Sequence, residues 1–321
     1  MKIHVRISGV LFAPLCFLAA LSFIGCFSSS AIACSVCGCG DPLMAAGDSM
    51  PLAGRLSLGL DAEFLQAKAK SDDDPDRTES LIQQVIRPLL VYSPTDNLNL
   101  VLQIPIVNKS WRLSATNSEG AKGLNQWGPG DIDLGARIFL VQATDIKAQS
   151  RQSVSVSLGS SFNSGNNSAE VISGDGRVER VDEHAQLGTG ALGPYLGLLY
   201  AFHEDPWNLS LNIYDRAHST NSYGYTFGNA VLAGLSLQYK WSDDFVLGLA
   251  GEGRYASKDD SSGMAQDNSG GSVVDVSPGF QLRVLGAFWI GVKVQIPAYT
   301  NFNGNQTLSP TTLASMKYDL F

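Results

Sequence analysis

The chain has 321 residues, 30 acidic against 22 basic, a formal net charge of −8 and a hydrophobic content of 44%. This acidic balance excludes nucleic-acid binding by phosphate neutralisation, which needs a basic face. Beyond residue 33 no apolar run reaches the roughly 18 residues of a spanning helix, so any membrane crossing there is made by strands.

Lys2, His4 and Arg6 precede an apolar run from Val10 to Cys26, then Ser28 to Ser30, then Ala31-Ile32-Ala33. This is the charged start, apolar middle and small-residue exit of a secretory signal peptide, predicting cleavage before Cys34. Residues 1–33 carry two basic and no acidic residues, so the mature chain has a net charge of −10.

Residues 34–54 form a second segment, opening on Cys34-Ser35-Val36-Cys37-Gly38-Cys39-Gly40. Three thiols this close, loosened by glycine, can wrap a soft ion such as copper as thiolates, whereas zinc needs a fourth ligand from elsewhere. An oxidising compartment and an odd count equally favour one local disulfide with a spare thiol. In a third reading Cys34 is a lipidated N-terminus, because Ala31-Ile32-Ala33-Cys34 loosely resembles a lipobox. Tethered beneath a barrel mouth, the segment can plug a pore, present a metal or meet a periplasmic partner.

From residue 55 to the end the dominant signal is a period of two, the mark of strands with unlike faces. Leu56, Leu58, Leu60, Ala62 and Phe64 alternate with Ser57, Gly59, Asp61 and Glu63. The cleanest case is residues 128–142, where Ile132, Leu134, Ala136, Ile138 and Leu140 oppose Asp131, Asp133, Gly135 and Arg137. Similar runs fall at 97–106, 153–158, 208–213, 235–240, 274–284 and 290–296, with weaker ones at 80–92, 190–202, 245–255 and 312–321. The fold class read from this is all-β: one transmembrane antiparallel up-and-down β-barrel of about 12 strands over residues 55–321.

Links alternate in length as outer-membrane barrels require, with short turns at one end and long loops at the other. Residues 93–96, 203–206, 242–244 and the turn at Gly286 are short, and 144–151 is somewhat longer. Residues 71–78, 114–127, 164–187, 257–272 and 301–306 are longer and polar, while 219–224 is the short member of that set. Tyr92, Phe202, Trp207, Trp241 and Trp289 lie beside short links, predicting an aromatic girdle there; Trp111 and Trp127 flank a long loop. An even strand count puts both termini on the short-turn side, giving a Gram-negative outer-membrane protein with a periplasmic N-terminus. Its expected partners are outer-membrane lipid, lipopolysaccharide and the barrel assembly machinery.

The segment Trp127-Gly128-Pro129-Gly130-Asp131-Ile132-Asp133-Leu134-Gly135-Ala136-Arg137 resembles outer-membrane barrels of the family named for the meta-pathway of phenol degradation. Gln295-Ile296-Pro297, Asn303-Gly304-Asn305-Gln306 and a last strand ending in Phe321 add to the resemblance. It implies a porin-like channel or transporter for small, often hydrophobic or aromatic, compounds. The ending departs from the usual insertion signal, since Met316, Tyr318 and Leu320 are out of phase with Phe321.

The lumen-lining set expected from the polar faces includes Asp131, Asp133, Arg137, Glu252, Arg254, Arg283 and Lys293, with Asp61, Glu63, Lys240 and Asp275. Mixed signs favour cross-pairing inside a narrow barrel over a single-sign filter. Asp72 to Asp76 and Asp259-Asp260 read as solvated acidic tips, lacking the spacing of a calcium loop. His218-Ser219-Thr220-Asn221 is similar to the His, Ser and Asn set of outer-membrane phospholipase A, but adjacent strand residues face opposite ways and no catalytic residue is assigned. His184 and His203 read as ordinary polar link residues.

The cysteine readings separate on one change. If Cys34, Cys37 and Cys39 hold metal, their triple replacement by Ser abolishes bound copper or zinc in elemental analysis and leaves heat-modifiable barrel mobility intact; a disulfide alone leaves metal content unchanged.

Overall fold

The period-two pattern closes into a cylinder. The computed structural model describes residues 51–70, 78–114, 122–172 and 176–320. Its wall has twelve antiparallel strands. They are β1 Arg55–Lys70, β2 Thr78–Thr95, β3 in two runs Leu98–Gln103 and Ile106–Ser114, and β4 in two runs Lys122–Pro129 and Ile132–Asp145. Next come β5 Ser150–Phe162, β6 Gly193–Glu204, β7 Trp207–Arg216, β8 Ala230–Ser242 and β9 Phe245–Ala256. Last are β10 Gly271–Leu285, β11 Phe288–Phe302, and β12 in two runs Asn305–Leu308 and Thr311–Asp319. β1 closes the ring by pairing on both sides: Arg55↔Ser93 through Lys70↔Thr78 with β2, and Ser57↔Asp319 through Phe64↔Thr312 with β12. Closure leaves the sheet with no free first or last strand, which is what a lipid environment demands.

Residues that alternate in sequence take opposite faces. Leu134, Ile138 and Leu140 are exposed on the outside, while Arg137, between them, is 2% exposed inside. The outward belt continues through Leu58, Ile86, Leu100, Leu158, Leu196, Leu235, Leu249, Val276 and Val292, all exposed. An apolar surface encircling the molecule far exceeds the few hundred Å² tolerated on a soluble monomer, and a bilayer removes that conflict. A soluble β-sandwich, the other fold that strands of this pattern can build, is ruled out. Among the described residues no helix is long and apolar enough to cross a membrane.

Two of the long links are shorter than the spacing predicts. Residues 106–114 and 122–129 are the outer halves of β3 and β4, paired from Ile106↔Pro129 to Leu113↔Lys122. Pro105, which lacks an N–H, and Gly130-Asp131 interrupt the two strands at one level, where Gly130 N–H donates to the Pro105 carbonyl at 2.8 Å. The expected loop at 301–306 is a tight turn at Asn303-Gly304, with Gly304 at φ +64°. Conversely, residues 219–224 belong to a longer link, 217–229.

A second interruption sits between β11 and β12. Their ladder runs from Phe288↔Tyr318 to Gln295↔Thr311, and among the described residues it stops there. Beyond it Pro297 and Pro310 face the gap without N–H donors, and the first run of β12 pairs instead with β1.

The girdle forms at the short-turn end, where Tyr92, Trp207 and Trp241 are exposed and Tyr239 packs edge-on against Trp207 and Trp241 at 4.8 and 6.2 Å. Trp289 departs from it, lying 4.9 Å beneath the Arg283 guanidinium and lining the lumen. Trp111, beside the long link as expected, is buried inside the barrel. In β12, Met316, Tyr318 and Leu320 share the outer face; Phe321 lies outside the described residues.

Part of the lumen is filled by side chains. Leu89, Val91, Val101, Tyr195 and Tyr214 pack against one another and against Leu232. The Tyr195 hydroxyl occupies the space a Cβ would take at both Gly135 and Gly159. Gly135→Ala therefore displaces Tyr195 at a cost of about 1–3 kcal/mol. The urea midpoint of the purified barrel should fall accordingly, and Tyr195→Leu in the same background should recover part of the loss, as a coupled pair requires.

Candidate functional site

Beside that cluster the lumen holds a cavity of 1010 Å³. At the short-turn end its wall includes Pro51, Leu52, Arg55, Arg151, Lys317 and Asp319, and towards the long loops it ends among Leu65, Val273, Phe302, Leu308 and Thr311. Of the residues expected in the lumen, Arg137, Glu252, Arg254 and Lys293 line this cavity, as do Asp61, Glu63 and Asp275. They are placed by strand alternation alone, and most are answered by neighbours. Glu63 pairs with Arg87 at 2.5 Å, Lys293 reaches Glu252 at 3.0 Å, and Gln295 donates to the other Glu252 oxygen. Pairing is what allows charges out of bulk water at tolerable cost.

Four expected members sit elsewhere. Asp133 meets Arg216 at 3.6 Å, away from the cavity wall, and Arg216 stacks over the Tyr195 ring at 5.3 Å. Arg283 is drawn to the short-turn rim by Asp244, at 3.2 Å, and Trp289. Lys240 is drawn to that rim as well, by Asp243 at 2.7 Å. Asp131 lies in the break of β4, where the strand bends and the carboxylate is aimed at a loop. One oxygen accepts the Gly165 N–H at 2.9 Å, and the other accepts the Thr189 N–H and hydroxyl at 2.7 and 2.6 Å.

That loop, residues 163–192, caps the lumen at the long-loop end. Val181 and Ala185 pack on inward-facing Leu81, Trp111 and Leu113, and Leu187 packs on Val85 and Val107. The ammonium of Lys109, inward on the second run of β3, donates to the His184 carbonyl at 2.9 Å and the Gln186 carbonyl at 2.5 Å.

Two further links join the cap through one carboxylate. Asp259, 1% exposed, accepts from Nε2 of His184 at 2.9 Å, the Tyr225 hydroxyl at 2.7 Å and the Gly228 N–H at 2.6 Å. Its own N–H donates to Ser269 Oγ at 2.8 Å. Asp259 is thus the hub of the cap and not a solvated tip, and His184, edge-on to Phe227 at 5.4 Å, is not an ordinary link residue. Burial pushes the Asp259 carboxyl up, but His184, Tyr225 and Gly228 together outweigh it and hold the group below the usual carboxylate range. Burial raises the Tyr225 phenol.

The His218, Ser219 and Asn221 set is consumed by the same cap. His218 Nδ1 faces the Gly228 carbonyl at 3.2 Å, Ser219 Oγ accepts the Leu192 N–H at 2.9 Å, and the Asn221 amide donates to Glu183 and Thr189 at 3.3 and 3.1 Å. His203, by contrast, ends β6 near the short turns, beside Asn208. Cys34, Cys37 and Cys39, like Asp72 to Asp76, lie outside the described residues, and among the described residues no three His, Cys, Asp or Glu side chains are grouped to hold a metal.

Comparison with known proteins yields a fold. No family model and no curated protein matches the sequence. Among solved structures, an outer membrane channel from Pseudomonas putida F1 is similar at a TM-score of 0.63 and 15% identity, over 85% of this chain and 98% of that one. The translocator domain of an autotransporter from Neisseria meningitidis, TM-score 0.45 and 11% identity, covers 86% and 92%. A monoaromatic hydrocarbon channel, TodX, TM-score 0.42 and 11% identity, covers 91% and 96%. The likeness to the first of these shows a shared fold, that of an outer-membrane β-barrel.

Two measurements probe the cap. His218 is lowered to about 4 by burial first and the nearby Arg216 second. A depressed imidazole contributes stability above its ordinary value near 6.5 that is lost as pH falls towards 4, and Asp259 likewise loses its contribution on acidification. Its ring-proton NMR titration should have a midpoint near 4; a midpoint above 6 contradicts the burial. Asp259→Ala orphans three donors, each costing about 1–3 kcal/mol. Limited proteolysis within 217–229 or 257–270 should accelerate by at least about tenfold while the barrel stays heat-modifiable.

Proposed function

We propose that this protein is an outer-membrane channel or transporter for small molecules, including hydrophobic and aromatic ones, with its short turns in the periplasm. The observation that carries the reading is the 1010 Å³ cavity running along the inside of a closed, lipid-facing barrel. Its volume is that of a site for one or a few small molecules, not of a wide aqueous pore. The apolar end of the cavity adjoins the unpaired stretch between β11 and β12, which puts Phe302, Leu308 and Thr311 beside the wall's weakest seam. That supports apolar solutes.

The N-terminal segment has a natural role here. The Ala53 N–H donates to Asp96 Oδ1 at 2.9 Å and the Gly54 N–H to the Ser93 carbonyl at 2.8 Å. These bonds fix its described end at the short-turn mouth, where Pro51 and Leu52 line the cavity. A plug or gate bearing the three cysteines is the reading this favours, with a metal-presenting accessory role for a periplasmic partner as the alternative.

Planar-bilayer conductance of the mature protein and of a version lacking residues 34–54 tests both. Larger steps after the deletion support a channel gated by the segment. Silence in both versions overturns the channel reading and leaves the cysteine segment as the working part.

A further inference from the structure

Resting on the channel reading, we infer that the lumen selects amphipathic organic anions: solutes with an apolar body and a carboxylate or similar head. The first observation is a reversal of charge between chain and cavity. The whole chain has 30 acidic and 22 basic residues, yet among the described residues the cavity wall carries seven arginines and lysines against five carboxylates. A wall drawn evenly from this chain would have an acidic majority.

The second observation is where the excess lies. At the short-turn mouth Arg55 and Lys317, from β1 and β12, face across the barrel towards Arg151 on β5, with Asp319 as the one cavity-lining carboxylate at that level. Asp319 is engaged by Arg55 at 2.5 Å and Lys317 at 3.8 Å. Arg151 has no ion-pair partner among the described residues. Deeper in, the signs balance in number: Asp61, Glu63, Glu252 and Asp275 share the wall with Arg87, Arg137, Arg254 and Lys293, Glu63 paired with Arg87 and Glu252 with Lys293. At the rim outside the cavity wall, Asp243 meets Lys240 and Asp244 meets Arg283. The basic excess of the cavity wall thus lies at its mouth, and low-dielectric walls focus the field of such charges.

The third observation is the gradient along the axis. The far end of the cavity is apolar, formed by Leu65, Val273, Phe302, Leu308 and Leu313. A solute with its chain or ring among these side chains has its head directed towards Arg151, Arg55 and Lys317. A fully polar anion lacks a partner at one end, and an amphipathic cation meets like charge at the other.

The test uses the mature protein in two assays. In planar bilayers under a potassium chloride gradient, the reversal potential should report preference for chloride, and the double charge reversal Arg151→Glu with Lys317→Glu should invert it. In liposome swelling, a medium-chain carboxylate should enter several-fold faster than the ammonium of the same chain length, a ratio that the double variant should abolish. Heat-modifiable mobility confirms that the variant is folded, and Arg151→Gln alone serves if the reversal is not tolerated, with a reduced preference expected. Cation preference, or equal entry of both probes, overturns the inference and leaves the channel intact. Absence of both current and swelling instead overturns the channel reading itself.

Discussion

The double pairing of β1 is the constraint on which the rest depends. In hydrocarbon an unpaired backbone N–H or carbonyl costs several kcal/mol, so a sheet in a membrane must return on itself. Here the first strand carries that burden, bonded along its whole length to β2 and on its other side to both runs of β12. Once the ring is closed, strand alternation determines what every residue meets. Even-numbered positions such as Leu134 and Ile138 meet lipid, and odd-numbered Arg137 meets the lumen. A single-residue slip would exchange the two sets, so the register is held by the same apolar belt that it creates.

Within that ring, charge is used in two different ways. In the barrel, pairs such as Glu63 with Arg87 neutralise most of the wall and leave a modest basic excess. In the cap, Asp131 and Asp259 are spent on backbone N–H groups and neighbouring side chains, turning irregular links into fixed structure. Both uses follow from burial: a carboxylate withdrawn from water must find donors, whether from a guanidinium or from a loop.

The sequence made the barrel legible because lipid and lumen impose opposite demands on consecutive residues, and a period of two survives even in segments of eight or ten residues. Legibility failed where that contrast fades. Val107, Lys109, Trp111 and Leu113 all point inward because a loop covers them, so the outer half of β3 lacks a clean polar face. The lumen charges Arg137, Glu252, Arg254 and Lys293 could be placed from alternation, which depends only on neighbours in sequence. The hub could not, because Asp259, His184 and Tyr225 come from three links separated by up to 75 positions, and each alone looks like solvated polar sequence. The adjacency of Asp131 to the break at Gly130 was the one local sign that a loop would be clamped there.

A single carboxylate joining three links has a consequence for how this surface can change. Each link alone is a hairpin end that tolerates insertion, as exposed loops generally do. Joined through Asp259, they vary as one object: an insertion in 217–229 moves Tyr225 and Gly228 and so disturbs His184 in the link 163–192, to which Ser219 and Asn221 are bonded as well. Loop exchange between related barrels should therefore be attempted with all three links together, because a graft of one imports donors whose acceptor was left behind.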